Sequence, residues 1–192
     1  TRGTIGAEVF HNLISNGFTG AVYPVNPGAH AVQGVRAYPS LREVPDAVDL
    51  AVIVVPAAGV PAVIDDCVAA GVKAVLIISA GFAETGEAGR ARQDAILATV
   101  RAAGMRMVGP NCLGLLNADP AISLDATFAP TWPPHGNVAF SSQSGAVGLA
   151  ILDYAKELGI GIHQFVSIGN KADVSGNDLI EYWGRSEERR VG

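Results

Sequence analysis

Between positions 48 and 84 the sequence VDLAVIVVPAAGVPAVIDDCVAAGVKAVLIISAGFAE holds two unbroken apolar runs, residues 50–55 and 74–78. They flank a segment in which Val60, Val63, Ile64, Cys67 and Val68 recur at helical spacing. Runs rich in β-branched residues that do not alternate with polar ones need cover on both faces, as in a parallel sheet wrapped by helices. The stretch therefore predicts a βαβ unit. Its crossover should be right-handed, which puts the ends of both strands, near residues 55–57 and 79–81, on one edge of the sheet. Ligands of open α/β sheets bind outside that edge.

The pattern extends in both directions. Ile5, Val9 and Leu13, with Phe10 and Ile14, form an apolar stripe that stops at Asn16-Gly17 and predicts a helix. No strand fits before it, so the pattern predicts a chain that opens inside the first strand-to-helix turn. AVYPVNP, residues 21–27, predicts a short strand ending in a turn, and 28–47 a loop-rich passage with an extended piece at 35–38 and a short helix from Ser40 through Val44. Residues 86–103 predict a helix with Ile96, Leu97 and Val100 facing inward and Gly104 ending it. A strand at 105–108 then runs into GPNCLGLLN, 109–117, read as a tight turn at the same edge.

Prolines 120, 130, 133 and 134 exclude a regular helix or central strand between 119 and 136. That span predicts a connection, packed on its neighbours through Phe128 and Trp132. A second βα pattern follows: a strand at 137–140, a turn at 141–145, and a helix at 146–158 with Val147, Ile151, Leu152 and Leu158 on its buried side. A strand at 162–168 and a helix beginning over 177–183 complete it. The predicted fold class is α/β, with a Rossmann-like parallel-sheet domain over 1–118, a Pro-rich connection over 119–136, and the start of a second α/β domain over 137–192. The closing SEERRVG has no apolar face to pack, which fits either a frayed end or a cut in a longer domain.

Composition narrows the function classes. Hydrophobic residues make up 49% of 192, and the mean hydropathy of +0.31 is high. Buried parallel strands account for it, because no apolar run approaches the ~18 residues of a membrane span, and TRGTIGAEVF leads into no signal-peptide core. A net charge of −5 with 13 Lys and Arg argues against nucleic acid as the main partner. A phosphate-bearing ligand stays compatible, since backbone amides at helix N-termini hold phosphate without a basic surface. Cys67 and Cys112 lie far apart in no metal-ligand spacing, which suits a reduced, cytoplasmic protein.

Two sets of turns carry candidate chemistry. SSQSG at 141–145 joins a strand to a helix, with exposed amides, the hydroxyls of Ser142 and Ser144, and the positive end of the helix, which is anion-binding architecture. An ordinary capping turn uses the same residues. The turns at 55–57, 79–81 and 109–111, with Asn26-Pro27 beside them, share one edge and suit a nucleotide-like ligand held through the backbone, although each alone is explained as a loop needing Gly or Pro. His11, His30, His135 and His163 read as structural or solvated, Cys112 as a small buried residue, and Asp65-Asp66 and Glu187-Glu188 as solvated faces.

VPA at 55–57, ISAGFAETG at 78–86, VGPNCLGLLN at 108–117, SSQSGAVG at 141–148 and SIGNKADVSGNDLIEYW at 167–183 together resemble the NDP-forming acyl-CoA synthetases. That superfamily includes ADP-forming acetate–CoA ligase and the succinate–CoA ligase α subunit, and the likeness is closest to the acetate branch. The resemblance implies a Rossmann-like domain that binds coenzyme A, followed by a flavodoxin-like domain. Thr1, Arg2, Gly3 and Thr4 match the end of a glycine-rich loop near the CoA phosphates. Asn26 and Pro27 match the segment after the second strand, with Ala29 where the succinate enzyme has a CoA-contacting lysine. Val55, Pro56, Ala57, Ile78, Ser79, Ala80 and Gly81 match the loops for the pantetheine and adenine parts, with Ala80 in place of a glutamate, and Asn111 and Cys112 match the turn near the thiol. Ser142, Gln143, Ser144 and Gly145 match the phosphate loop.

The family reaction implied is acid + CoA + ATP ⇌ acyl-CoA + ADP + phosphate, through an acyl phosphate and a phosphohistidine. The histidine motif of the family does not occur in these residues, so the resemblance places no catalytic residue or metal ligand here and implies an inactive fragment. The partners it implies are a small carboxylic acid, CoA, and an ATP-grasp domain or subunit that brings ATP/ADP with Mg, in an oligomer. Some family members are fused to a GNAT acetyltransferase domain, so a CoA-sensing module of a protein lysine acetyltransferase is the alternative. An NAD-binding Rossmann domain is a third reading.

Overall fold

The computed structural model describes residues 3–188, so Thr1 and Arg2 and the last four residues of SEERRVG lie outside it. Helix α1 (Ile5–Ser15) opens the chain, capped by the Thr4 side chain, which accepts from the Ala7 amide at 3.3 Å. A small hairpin of β1 (Ala31–Val32) and β2 (Val35–Arg36) and a 3-10 turn over Leu41–Glu43 follow. The βαβ unit is then present as β3 (Leu50–Ile53), α2 (Val60–Ala69) and β4 (Ala74–Ile77), continued by α3 (Glu87–Ala102) and β5 (Arg106–Val108). The three strands form a parallel sheet in the order β3-β4-β5, with Ile53 opposite Ile77 and Leu76 opposite Val108.

Both faces of this sheet are covered, as its non-alternating sequence requires. On one side Ile53, Val75, Ile77 and Met107 pack with Val60, Ile64 and Cys67 of α2, with Ile96 and Val100 of α3, and with Phe82. Leu76 and Ile78 join Val9 of α1 in a separate cluster that also takes in Cys112 and Ala126. Each such side chain taken fully from water contributes about 1.5–3 kcal/mol. Residues 60, 64, 67 and 96, 100 fall at i, i+4, i+7 spacing, which is why these two helices turn one stripe to the sheet.

The second sheet is mixed. Strands β6 (Gly114–Asn117), β7 (Leu124–Thr127), β8 (His135–Ser142) and β9 (Ile162–Ser167) lie in the order β7-β6-β9-β8, with β8 parallel to β9 and β6 antiparallel to both β7 and β9. Helix α4 (Gly145–Glu157) crosses from β8 to β9, and α5 (Gly176–Glu188) follows. The core here is Leu113, Leu116, Leu152, Ala155, Ile162 and Phe165. Gly148 lets α4 approach β9, since a Cβ there would meet the Phe165 ring at 2.6 Å.

Five expectations are corrected. Residues 21–27 form no strand: Pro24 and Pro27 have no N–H to donate, and only an isolated bridge between Val25 and Tyr38 forms. The turn at 109–117 ends by Leu113, because Leu116 is buried as the central residue of β6. The Pro-rich span contains β7, an edge strand that fits between Pro120 and Pro130. On α4 the buried stripe is Gly148, Leu152 and Ala155, whereas Val147, Ile151 and Leu158 are 53%, 43% and 55% exposed. Small residues allow close contact with the sheet, so the helix turns these and not its β-branched residues inward. Ile5 and Ile14 of α1 and Val68 of α2 likewise remain exposed.

Candidate functional site

The C-terminal ends of β3, β4 and β5 lead into the three turns singled out by sequence, and hydrogen bonds tie these together. Ser79 Oγ donates to the Val55 carbonyl at 2.5 Å, and the Asn111 amide donates to the Ser79 carbonyl at 3.0 Å. Gly81 has φ of 105°, and a Cβ added to it would lie 2.9 Å from that of Ala57, so the two turns touch where side chains are smallest. Ile78 is buried, while Pro56 and Ala80 are exposed with their backbone at the rim. Asn111 adopts φ of 58° directly after the cis Gly109–Pro110 bond.

The more N-terminal candidates lie in separate local structures. Gly3, at φ of 84°, and Thr4 form the entry to α1, and Arg2 is outside the described residues. Asn26 uses its side chain locally, accepting from the Gly28 amide at 2.9 Å, and its own amide donates to the Tyr38 carbonyl at 2.8 Å. Pro27 is exposed. No hydrogen bond joins Asn26 to the three turns among the described residues.

In the second sheet Ser141 and Ser142 end β8, and Ser144 is the N-cap of the 13-residue α4, accepting from the Val147 amide at 3.3 Å. Ser142 Oγ donates to the Ser144 carbonyl at 2.8 Å, and Gln143 is exposed at the tip. Gly145 sits against Leu113, whose Cβ is 3.3 Å from where a Gly145 Cβ would be. Leu113 belongs to the segment that leaves Asn111, so the phosphate-type turn and the last of the three sheet-edge turns are neighbours. Because β6 runs antiparallel to β9, its start lies at the same edge as the ends of β8 and β9. The two candidate sets therefore share an edge.

Three residues at this edge escaped the sequence reading. Glu84 Oε1 accepts from the Gly81 amide at 2.5 Å and the Phe82 amide at 3.1 Å, Arg92 donates to the Gly81 carbonyl at 2.6 Å, and Asn170 donates to Glu84 Oε2 at 2.6 Å. The signal for Glu84 was local: a carboxylate following Gly81 by three residues is placed to accept amides of its own turn. Nothing in the pattern marks the Asn170 contact, which spans 86 residues.

Electrostatics agree with the geometry. Partial burial pushes the Glu84 carboxyl up, but hydrogen bonds from Asn170 and from the amides of Gly81, Glu84 and Phe82 outweigh it and hold the group below its ordinary value. Burial pushes the Cys112 thiol up to about 12, and the thiol donates to the Ile77 carbonyl at 3.4 Å, so it is an inert packing group. Cys67 is likewise raised, to about 11, by burial and by Asp66. His163 and His135 meet edge to face at 5.9 Å, and Asp66 pairs with Arg42 at 2.7 Å. Among the described residues no group of three or more His, Cys, Asp or Glu is placed to hold a metal, and no helix is long and apolar enough to cross a membrane.

Comparison with known proteins assigns both parts. A CoA binding domain family matches residues 1–118, and a succinyl-CoA ligase like flavodoxin domain family matches 135–192. The ADP-forming acetate–CoA ligase of Methanocaldococcus jannaschii is 44% identical over 191 residues, which is 100% of this chain and 26% of the relative. The α subunit of ADP-forming acetate–CoA ligase II of Pyrococcus furiosus is 46% identical over 97% of this chain and 40% of its own length. A structure of the Ca. Korarchaeum cryptofilum dinucleotide-forming acetyl-coenzyme A synthetase 1 in complex with phosphate and ADP superimposes with a TM-score of 0.89 at 46% identity, covering 94% of this chain and 38% of that one. The chain thus spans about a quarter to two-fifths of the relatives it matches, and these, being ligases, do not support the acetyltransferase alternative. The fold is α/β, a Rossmann-like parallel-sheet domain followed by the start of a flavodoxin-like one, and the chain belongs to the CoA-binding domain family within the NDP-forming acyl-CoA synthetase superfamily.

Proposed function

We propose that this chain is the CoA platform and half of the phosphate site of an ADP-forming acetate–CoA ligase, which converts acid, CoA and ATP to acyl-CoA, ADP and phosphate. The observation that carries the reading is the convergence, at one edge, of the hydrogen-bonded turns at 55–57, 79–81 and 109–111 with the N-cap turn of α4. The turns at 55–57 and 79–81, lined by Ala57, Ala80 and Gly81, leave the backbone open to a thin ligand such as pantetheine. Gly3 and Thr4, at the start of α1, and Asn26 with Pro27 suit the nucleotide end. Ser142, Gln143, Ser144 and Gly145 offer amides and hydroxyls at a helix N-terminus, where negative charge is stabilised without adding a titratable group.

In this reading the chain binds, orients and shields. It keeps the CoA thiol and a phosphoryl group within reach of each other. ATP, with Mg, belongs to an ATP-grasp domain or partner subunit, and the phosphorylated histidine to a segment beyond these residues. The proposed domain limits are 1–118, 119–136 and 137–192, with β6 and β7 reaching across them into the second sheet, and the setting is the cytoplasm, where Cys67 and Cys112 stay reduced.

Calorimetric titration of the full-length protein with CoA and with NAD tests the reading. Saturable CoA binding with no NAD binding is expected; NAD binding without CoA binding overturns it. The 192 residues alone should form no acyl-CoA from acid, ATP and CoA, and turnover by them would relocate the chemistry.

A further inference from the structure

The segment that follows β9 leaves the second sheet and lies along the first. The amides of Asn170, Ala172 and Val174 donate to the carbonyls of Pro110, Gly109 and Met107 at 2.9, 3.1 and 3.1 Å, so this strap runs beside the free edge of β5. It is pressed close: a Cβ on Gly169, whose φ is 52°, would sit 2.3 Å from the Pro110 carbonyl oxygen. Asp173, with its side chain 5% exposed, anchors it by accepting from Arg101, Arg106 and the Met107 amide. At its start the Ile168 amide donates to the Ser142 carbonyl at 2.9 Å, beside the phosphate-type turn.

Both polar atoms of the Asn170 side chain are used, at the sheet-edge turns and on α3. Nδ2 donates to Glu84 Oε2 at 2.6 Å and to Gln93 Oε1 at 3.0 Å, and Oδ1 accepts from Asn111 Nδ2 at 3.4 Å. A hydrogen-bonded chain results, closed on itself by the backbone between Ser79 and Gly81. It runs from the Val55 carbonyl to Ser79, from Ser79 to Asn111, from Asn111 to Asn170, from Asn170 to Glu84, and from Glu84 to the amides of Gly81 and Phe82. Remove Asn170 and Glu84 loses the partner that fixes which amides its other oxygen holds.

We propose that Asn170 is a positioning residue for the CoA turns, holding the Glu84 carboxylate on the Gly81 and Phe82 amides and so tying the geometry of those turns to the end of β9, which is hydrogen-bonded through Ile168 to the end of β8 that carries the phosphate turn. The proposal rests on the CoA reading above. It adds a residue from the strap after β9 that acts through Glu84 and need not touch the ligand. Networks in which each donor and acceptor is used lose more than one bond's worth of order when a member is removed.

The test uses the full-length enzyme with its ATP-binding unit. Asn170→Asp sets two carboxylates against each other and should raise the KM and Kd for CoA at least tenfold while leaving the KM for ATP unchanged. Adding Glu84→Gln restores one hydrogen bond with donor and acceptor exchanged at the same net charge, and should recover most of the CoA affinity. A merely structural residue would move all substrates together and show no such rescue. Hydrogen exchange over residues 79–86 gives a reading that needs no ligand: protection should fall in Asn170→Asp and return in the double variant. If wild-type protein fails to bind CoA, the CoA reading falls, and the exchange result still decides the positioning role. Should Asn170→Asp not fold, Asn170→Ala takes its place with the same two readouts. Unchanged CoA affinity and unchanged exchange at 79–86 in a folded variant overturn the proposal.

Discussion

Acidifying the protein from pH 7 to pH 5 should strengthen the attachment of β7, the opposite of what a buried carboxylate in an ion pair would do. Asp125 is 1% exposed, and among the described residues no cation pairs with it. One oxygen accepts from the Thr127 amide and hydroxyl at 3.1 and 2.7 Å, and the other from Asn16 Nδ2 at 2.9 Å. Burial pushes the carboxyl from 3.8 up to about 6, against the opposing pull of those hydrogen bonds. A group whose folded value lies above its unfolded value binds more protons in the native state between the two, so stability rises as pH falls through about 6 and levels off near 4. The full span corresponds to about 3 kcal/mol, of which the part between pH 7 and pH 5 is near tenfold in an equilibrium constant. Hydrogen exchange of the amides in β7, corrected for the intrinsic effect of pH, reads this directly. Wild-type protection relative to Asp125→Asn should grow about tenfold from pH 7 to pH 5. A difference that is independent of pH, or one that shrinks, would refute the assignment of a buried, unpaired carboxylate.

Two further substitutions probe the site's framework. Gly81→Ala forces a Cβ to 2.9 Å from Ala57 at a φ of 105°; a loss of about 1–3 kcal/mol in denaturant titration should come with weaker CoA binding in calorimetry, and a variant with wild-type affinity would remove Gly81 from the site. Asp173→Ala deletes the acceptor for Arg101, Arg106 and the Met107 amide. It should cost about 1–3 kcal/mol near pH 7, and because those hydrogen bonds outweigh burial and hold the Asp173 carboxyl below its ordinary value, its difference from wild type should persist at neutral pH and fade as pH drops below about 4.

How much was legible in the sequence varies with the kind of signal. The first sheet could be read because residues 50–55 and 74–78 are long apolar runs, and the turns at their ends follow from chain direction alone. The hairpin of β6 and β7 could not. Gly114 and Asn117 look like turn residues, and the four residues of β7 sit among prolines, so tertiary pairing with β9 decides what local preference does not. The α4 stripe was misread for a related reason: Gly148 and Ala155 carry little hydrophobic signal, although they are what permits contact with the sheet. At the candidate site the backbone turns were visible and their linkage was not, because Glu84 and Asn170 meet only once both sheets are built.

The antiparallel pairing of β6 with β9 bears on how the protein can move. The chain enters the second sheet at Gly114, before the Pro-rich span begins, and the strap after β9 returns to the edge of the first. The two halves are laced rather than strung. Opening them about the prolines would break the β6 to β9 ladder and the contacts of Asn170 and Asp173 together, so these residues should unfold as one cooperative block.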